Sequence, residues 1–301
     1  MTPTSRVTAI ALAAILAAAF STSVPGASSP PQAGRGAGAG PVPGGRGGPP
    51  PVAKKRVLLF GHATGFHHGS ISDALGNMYG VLVESGLFEV EIKTDARWIS
   101  KQANAFSGEG HNLDGFDVVM AISTVGTWDL NEQQKQDFLA FVHDDGKGFV
   151  GAHGALDANH QWPEYLEMIG GEFVGHPWNT FAAPVVIEDP AFPAMRHFAA
   201  THLTLYDEMY MTRGPWSRDK VNVLMRLDDT KLPTGRGSLR EDRDFAIAWA
   251  KTYGKGRVFY SSLGHVKEAW VSPDIRQMFL EAVKWAAGLT EGSTATHPKP
   301  E

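Results

Sequence analysis

The chain has 301 residues, 43% of them apolar and 20% charged, with 12 histidines, 8 tryptophans and no cysteine. The missing cysteine excludes disulfide scaffolds, zinc ribbons, thiolate-held iron–sulfur clusters and cysteine nucleophiles. A net charge of −5 argues against a nucleic-acid partner, which needs a basic surface to displace counterions.

Residues 1–24 read as a secretory signal peptide. Arg6 is followed by the apolar run Val7 to Phe20, broken only by Thr8, and then by the small residues Ser21, Thr22 and Ser23. Fourteen residues are too few to cross roughly 30 Å of hydrocarbon comfortably. The expectation is therefore a secreted or periplasmic protein with no stable membrane span after cleavage. Residues 25–54 follow as a Gly/Pro-rich linker. Between Pro25 and Pro51, 17 of 27 residues are Gly or Pro, so the segment buries too little to offset the entropy of ordering and is expected to be disordered. The first 54 residues hold four of the 27 basic residues and no acid, leaving 23 basic against 32 acidic residues, a net of −9, beyond them.

From residue 55 the pattern alternates. Arg56–Phe60 is a short apolar run closed by Gly61, a buried strand. Ser70 to Ser85 carries apolar residues at near-helical spacing and stops at Gly86. Phe88–Lys93 alternates as a strand does, and Asp117–Ile122 is a fully buried strand. Asp129 or Asn131 caps a helix through Phe138 and Val142, and Phe149–Ala152 is the next buried run, followed by a helix near Pro163–Ile169. This rhythm predicts an α/β fold with a mostly parallel sheet and helices on both faces, flavodoxin-like, whose functional groups gather beyond the carboxyl ends of the strands.

The second half is less regular. Ala183–Ile187, His202–Tyr206, Val221–Leu227 and Phe245–Ala250 are strand-like, and Gly256–Ser261 follows the turn Tyr253–Gly256, predicting extra β-hairpin elements. Ile275–Ala287 is an amphipathic closing helix. The folded unit is thus one domain, 55–290, with a polar tail, 291–301, expected to fray. Nothing in the pattern specifies an oligomeric state.

Histidines and acids fall where strands end. His62, His67 and His68 follow the first strand, and His153 stands in Gly151-Ala-His-Gly-Ala155 after the fourth. His176, then Asp207 and Glu208, then His265 follow in later loops. Loops at one edge of a sheet can converge on one cleft. Imidazoles with a carboxylate suit a divalent metal such as zinc, metal-free acid–base chemistry near neutral pH, or a non-catalytic binding cleft. The small residues around His153 resemble the strand-to-helix elbow that presents a nucleophile in several α/β enzymes, and Asp157 either orients His153 or caps the next helix. Ser261, Ser262, His265 and Asp207 do not make a convincing hydrolase triad, since no G-x-S-x-G is present. Trp128 and Trp178 lie closest to the polar loops, where an indole could stack on the apolar face of a sugar ring.

Several short pieces in fixed order resemble the ThuA-like family, named from trehalose utilisation and related in fold to class I glutamine amidotransferases. They are Gly65-Phe-His-His68, Phe149-Val-Gly-Ala-His-Gly-Ala155, Gly170-Gly-Glu-Phe-Val-Gly-His-Pro177, Asp207-Glu-Met-Tyr210, Tyr253-Gly-Lys-Gly-Arg-Val-Phe-Tyr260 and Leu263-Gly-His265, spread from Arg56 to Gly288. The resemblance carries over His68 rather than His67, together with His153, His176, Asp207, Glu208 and His265. It implies carbohydrate metabolism with a keto-sugar or glycoside as ligand. His153, Glu208 and Asp207 would stand nearest the chemistry, with His68, His176, His265, Trp128 and Trp178 holding substrate. A metal, if used, would take His153, His176, Glu208 and His265. Where the amidotransferase relatives place a cysteine at the elbow, this chain has His153, so thiolate hydrolysis of glutamine is excluded. The alternative is a carbohydrate-binding or scaffold module without turnover.

Overall fold

The apolar runs of the first half form the centre of a sheet because every side chain on them meets a covered face. A computed structural model describes residues 53–102, 112–233 and 240–300. The expected signal peptide, residues 1–24, and nearly all of the expected linker, residues 25–54, lie outside the described residues. In chain order the first half holds β1 (Lys55–Phe60), α1 (Ile71–Glu84), β2 (Phe88–Lys93), β3 (Val118–Ile122), α2 (Glu132–His143), β4 (Gly148–Ala152) and α3 (Pro163–Ile169). Alternate residues of the central strands face opposite cores. Val57, Leu59, Met120, Ile122 and Val150 pack with Leu75 and Met78 of α1, whereas Leu58, Phe60, Val119 and Phe149 pack with Phe138 of α2 and Tyr165 of α3. Helices therefore cover both faces.

The second half supplies β5 (Glu172–Gly175), β6 (Thr180–Ile187), β7 (His202–Glu208), β8 (Met211–Arg213), β9 (Asn222–Leu227), β10 (Ala246–Tyr253), β11 (Gly256–Ser261), α4 (Lys267–Val271) and α5 (Pro273–Ala286). The main sheet runs β2-β1-β3-β4-β11-β10-β9-β6-β7. Its first five strands are parallel. The others are antiparallel, including the β10–β11 hairpin that pairs Tyr253 with Gly256. The α/β expectation with added hairpins thus describes the molecule.

Local signals set the helix starts. Asn131 accepts from the Gln134 amide while the Gln134 side chain caps the Asn131 N–H, a reciprocal box that opens α2. Pro163 and Pro273 stand in the first turns of α3 and α5. Among the described residues no helix is long and apolar enough to cross a membrane.

Two expectations change. The stretches around Glu172 and Met211, where no strand was expected, pair with each other as a separate two-stranded sheet. Strands of four and three residues are too short to show a periodicity. The polar tail does not fray over 291–300. Asn222 Nδ2 donates to the Ser293 carbonyl at 2.9 Å, His297 Nε2 lies 3.0 Å from the Val223 carbonyl, and Lys299 Nζ reaches Asp229 at 3.1 Å. Composition signals polarity, but the partners that tie these residues down lie more than 50 positions away.

Candidate functional site

Three loops beyond the carboxyl ends of β1, β3 and β4 are joined by backbone hydrogen bonds. The amides of Thr64 and Gly65 both donate to Val125 O at 3.0 Å, and the Gly126 amide donates to Asp157 O at 3.1 Å. Gly126 has φ +94°, and a Cβ there would collide with the Gly65 backbone nitrogen, so the approach of these loops needs glycine. At the end of β4 the chain turns sharply. His153 adopts φ +48°, uncommon for a residue with a Cβ, and begins a single 3₁₀ turn to Ala155. A Cβ on Gly154 would lie 2.6 Å from a Val125 methyl, so the small residues flanking His153 let the elbow pack beneath the β3 loop.

The elbow fully buries His153 and aims its ring at the other loops. Its Nδ1 lies 2.7 Å from the Ser262 carbonyl oxygen. A carbonyl only accepts, so Nδ1 carries the proton and Nε2 presents its lone pair. Around that nitrogen stand His68 Nε2 at 3.0 Å, His265 Nδ1 at 3.3 Å and Glu208 Oε2 at 3.7 Å. His265 Nδ1 is also 3.1 Å from Glu208 Oε2. Glu208 arrives from the far edge of the sheet. Strand β9 pairs with β6 only at Val185–Ile187, so the opposite end of the β6–β7 ribbon, where Thr180 faces Glu208, is free of β9 and turns toward the β11 loop.

Electrostatics prepare this cluster. Burial, then the charge of His265, hold His68 down to about 4, and burial followed by the charge of His68 holds His153 well below the usual histidine range. Both are neutral at pH 7. Hydrogen bonding to Glu208 raises His265. The ligating atoms of His68, His153, Glu208 and His265 all lie within 4.8 Å of one another. A tetrahedral ion with bonds of about 2.0–2.2 Å separates its ligands by roughly 3.3–3.6 Å, close to the spacings already present. Three imidazoles, two of them neutral, and one carboxylate fit a divalent ion such as zinc.

The structure redistributes several expected roles. His176 does not join the metal-type cluster. It is half-exposed on the outer side of Glu208, with Nδ1 3.1 Å from Oε1, and His68 takes the fourth place instead. Asp207, expected near the chemistry, is fully buried and spends both oxygens on backbone N–H donors: Gly264 at 2.7 Å on Oδ2, and Glu208, His265 and Val266 at 2.9, 3.0 and 3.2 Å on Oδ1. It holds the β11 loop in place. Burial pushes its acid up to about 6 while those donors pull the other way. The two tryptophans are core residues. Trp128 is 1% exposed, donates from Nε1 to the Thr124 carbonyl and packs edge-on to Phe60 and Phe138. Trp178 packs on Phe181 and Phe245. His62 turns to the Thr94 carbonyl, and His67 stays exposed.

Above the cluster lies a cleft of about 280 Å³. Its walls are Phe66, Phe173 and Tyr210, and its polar lining is Asp157, His68, His176, Glu208 and His265. The aromatic surface expected from tryptophan therefore comes from other residues, with Phe66 64% exposed at the rim. Tyr165 and Tyr260 give their hydroxyls to the Ala155 and His153 carbonyls. The Tyr210 hydroxyl makes no such bond among the described residues. Asp157 neither orients His153 nor caps a helix. Its Oδ1 lies 2.8 Å from His160 Nε2, and His160 Nδ1 is 3.0 Å from Glu172 Oε1. The only sequence signal for Asp157 was its place four residues after His153.

The fold recurs in solved structures. A protein described as ThuA-like from Parabacteroides merdae aligns at TM-score 0.59 and 19% identity, over 82% of this chain and 94% of its own. One from Bacteroides uniformis aligns at TM-score 0.60 and 19% identity, over 81% and 95%. A β-galactosidase from Rahnella sp. R3 shares the fold over 79% of this chain and 32% of its own, at TM-score 0.50 and 13% identity. A search of the curated proteins found no match to the chain. Residues 56–286 match the family described as ThuA, trehalose utilisation, and with that match spanning the whole strand–helix core and every residue of the histidine cluster, the chain belongs to the ThuA family.

Proposed function

We propose that this protein is an exported enzyme of carbohydrate metabolism. It processes a keto-sugar or glycoside about one ring in size, with a divalent ion such as zinc held by His68, His153, His265 and Glu208. The observation that carries the reading is the convergence of those four ligating atoms within 4.8 Å at the base of a cleft of about 280 Å³. The family description, trehalose utilisation, supports the carbohydrate class, and the pattern of residues 1–24 supports export.

When bound, the ion supplies a Lewis acid beside a substrate carbonyl. The chain does the rest. Phe66 and Phe173 offer flat apolar surface to the C–H face of a ring. Tyr210 offers an unused O–H to a substrate oxygen, and His176 holds Glu208 from behind. The Asp207 carboxylate, gripping three consecutive amides of the β11 loop, keeps His265 in register with His153. Amide hydrolysis by a thiolate is excluded by composition, and His153 turns its free nitrogen into the cluster.

Elemental analysis of the purified protein, joined to a turnover assay on a panel of 3-keto-glycosides, tests this. About one divalent ion per chain is expected, lost in His153→Ala, with at least one member of the panel consumed. Protein that takes up neither zinc nor manganese and leaves the panel unchanged overturns the reading.

A further inference from the structure

Two carboxylates line the cleft, and only one has an oxygen to spare. Glu208 is occupied at both, with His176 Nδ1 at 3.1 Å from Oε1 and His265 Nδ1 at 3.1 Å from Oε2. Asp157 is engaged at Oδ1 alone, by His160 Nε2 at 2.8 Å. Its Oδ2 has no hydrogen-bond partner among the described residues, and its side chain is 23% exposed. Behind it runs a chain of alternating charge. His160 Nδ1 is 3.0 Å from Glu172 Oε1, and Arg213 donates to both Glu172 oxygens at 2.7 and 2.8 Å. An imidazolium between two carboxylates donates from both nitrogens, so Asp157 is held in one orientation with its free oxygen turned away from His160. The backbone is held as well, through the Gly126 amide on the Asp157 carbonyl and the bridge of Gly126 to Ala158.

We infer that Asp157 is the proton-accepting carboxylate of this cleft, and that His160, Glu172 and Arg213 are the positioning residues that orient it. The assignment rests on the keto-sugar reading above. A carbonyl acidifies the neighbouring C–H, and a positioned carboxylate can take that proton. In the step, Asp157 Oδ2 accepts the proton from the carbon next to the carbonyl. The C–H electron pair becomes the C=C of an enolate, and the carbonyl π pair moves onto oxygen, toward which the Tyr210 hydroxyl can donate. Return of the proton from Asp157 to carbon regenerates the ketone, so exchange of that hydrogen with solvent is the minimal reaction.

The test uses the full chain with zinc supplied and a panel of 3-keto-glycosides in D₂O, following loss of the C–H signal beside the carbonyl by NMR. Asp157→Asn is expected to slow exchange by about 100- to 10,000-fold with zinc content unchanged, and formate added to Asp157→Ala restores part of the rate. His160→Gln, which keeps a donor but not the charge, is expected to lower kcat about tenfold while KM holds. Its thermal midpoint separates misorientation from loss of fold. Exchange in Asp157→Asn within tenfold of wild type overturns the assignment and leaves the keto-sugar reading standing. A wild type that consumes a member of the panel without exchange overturns the assignment alone, and one that holds zinc yet neither exchanges nor consumes any member removes both.

Discussion

Zinc added to metal-free protein should raise its thermal midpoint by about 8–16 °C. Four of the six distances among the ligating atoms are 3.0–3.7 Å and all are within 4.8 Å, so little rearrangement opposes binding. His68, held down to about 4, and His153, held lower than usual by burial, have no proton to shed at pH 7. The unfolded chain has no such constellation, so binding favours the folded state. At about a thousandfold excess over Kd the gain is about 4.1 kcal/mol, and each kcal/mol moves the midpoint of a domain this size by about 2–4 °C. Differential scanning calorimetry with zinc, manganese and calcium, with and without a chelator, reads the shift. Glu208→Gln should lose most of it, because it removes the one formal negative charge of the set. An unchanged midpoint at saturating ion, or an equal shift in a His68→Ala, His153→Ala double variant, rules out a metal site in this cluster.

Other outcomes follow from the same geometry. Trp128→Ala should cost about 3–5 kcal/mol in urea denaturation, whereas Phe66→Ala at the rim stays within about 0.5 kcal/mol and instead weakens keto-sugar binding; the reverse ranking would return the stacking role to tryptophan. Gly126→Ala combines a positive φ with a collision against Gly65 and should destabilise by about 1–3 kcal/mol, read from the urea midpoint. His160 is raised, first by its hydrogen bond to Asp157. Its contribution to stability is therefore complete below its unfolded value of 6.5 and lost as pH rises through the folded value. The stability gap between wild type and His160→Gln should be widest at or below pH 6.5 and narrow in alkali, and a gap that widens with pH contradicts this. Glu172, pulled down to about 2 chiefly by Arg213, behaves oppositely: its contribution holds above the unfolded value of 4.5 and fades as pH falls toward 2.

The sheet and its ordering of loops were legible because the signals are local. Short runs without a charged residue, such as Val118–Ile122 of β3 and Phe149–Ala152 of β4, read as buried strands whatever surrounds them. Such strands bring their following loops to one edge, and His68, His153 and His265 lie on such loops, whereas Glu208 is the last residue of the antiparallel edge strand β7. The tryptophans misled for a related reason. Trp128 and Trp178 sit beside polar loop residues in the chain, but adjacency in sequence does not say which way a side chain points. Trp128 turns inward onto Phe60 and Phe138, while Phe66, unremarkable by type, turns out over the cleft.

What the amino-acid order alone determined was the element plan, the family motifs, the exclusion of thiol chemistry and the short list of polar residues at strand ends. Those properties depend on residues within a few positions of each other. Partner choice within the list was decided by tertiary structure: His68 rather than His176 completes the four-ligand cluster, Asp207 is consumed by the amides of Gly264 to Val266, and Asp157 leans on His160 instead of His153. The first two choices depend on distances across segments tens to more than a hundred residues apart. The third depends on the Glu172 and Arg213 side chains that hold His160, three positions from Asp157. All depend on burial, which sets whether an imidazole is neutral or charged. Neither quantity exists until the β6–β7 ribbon folds back and delivers Glu208 to the histidines.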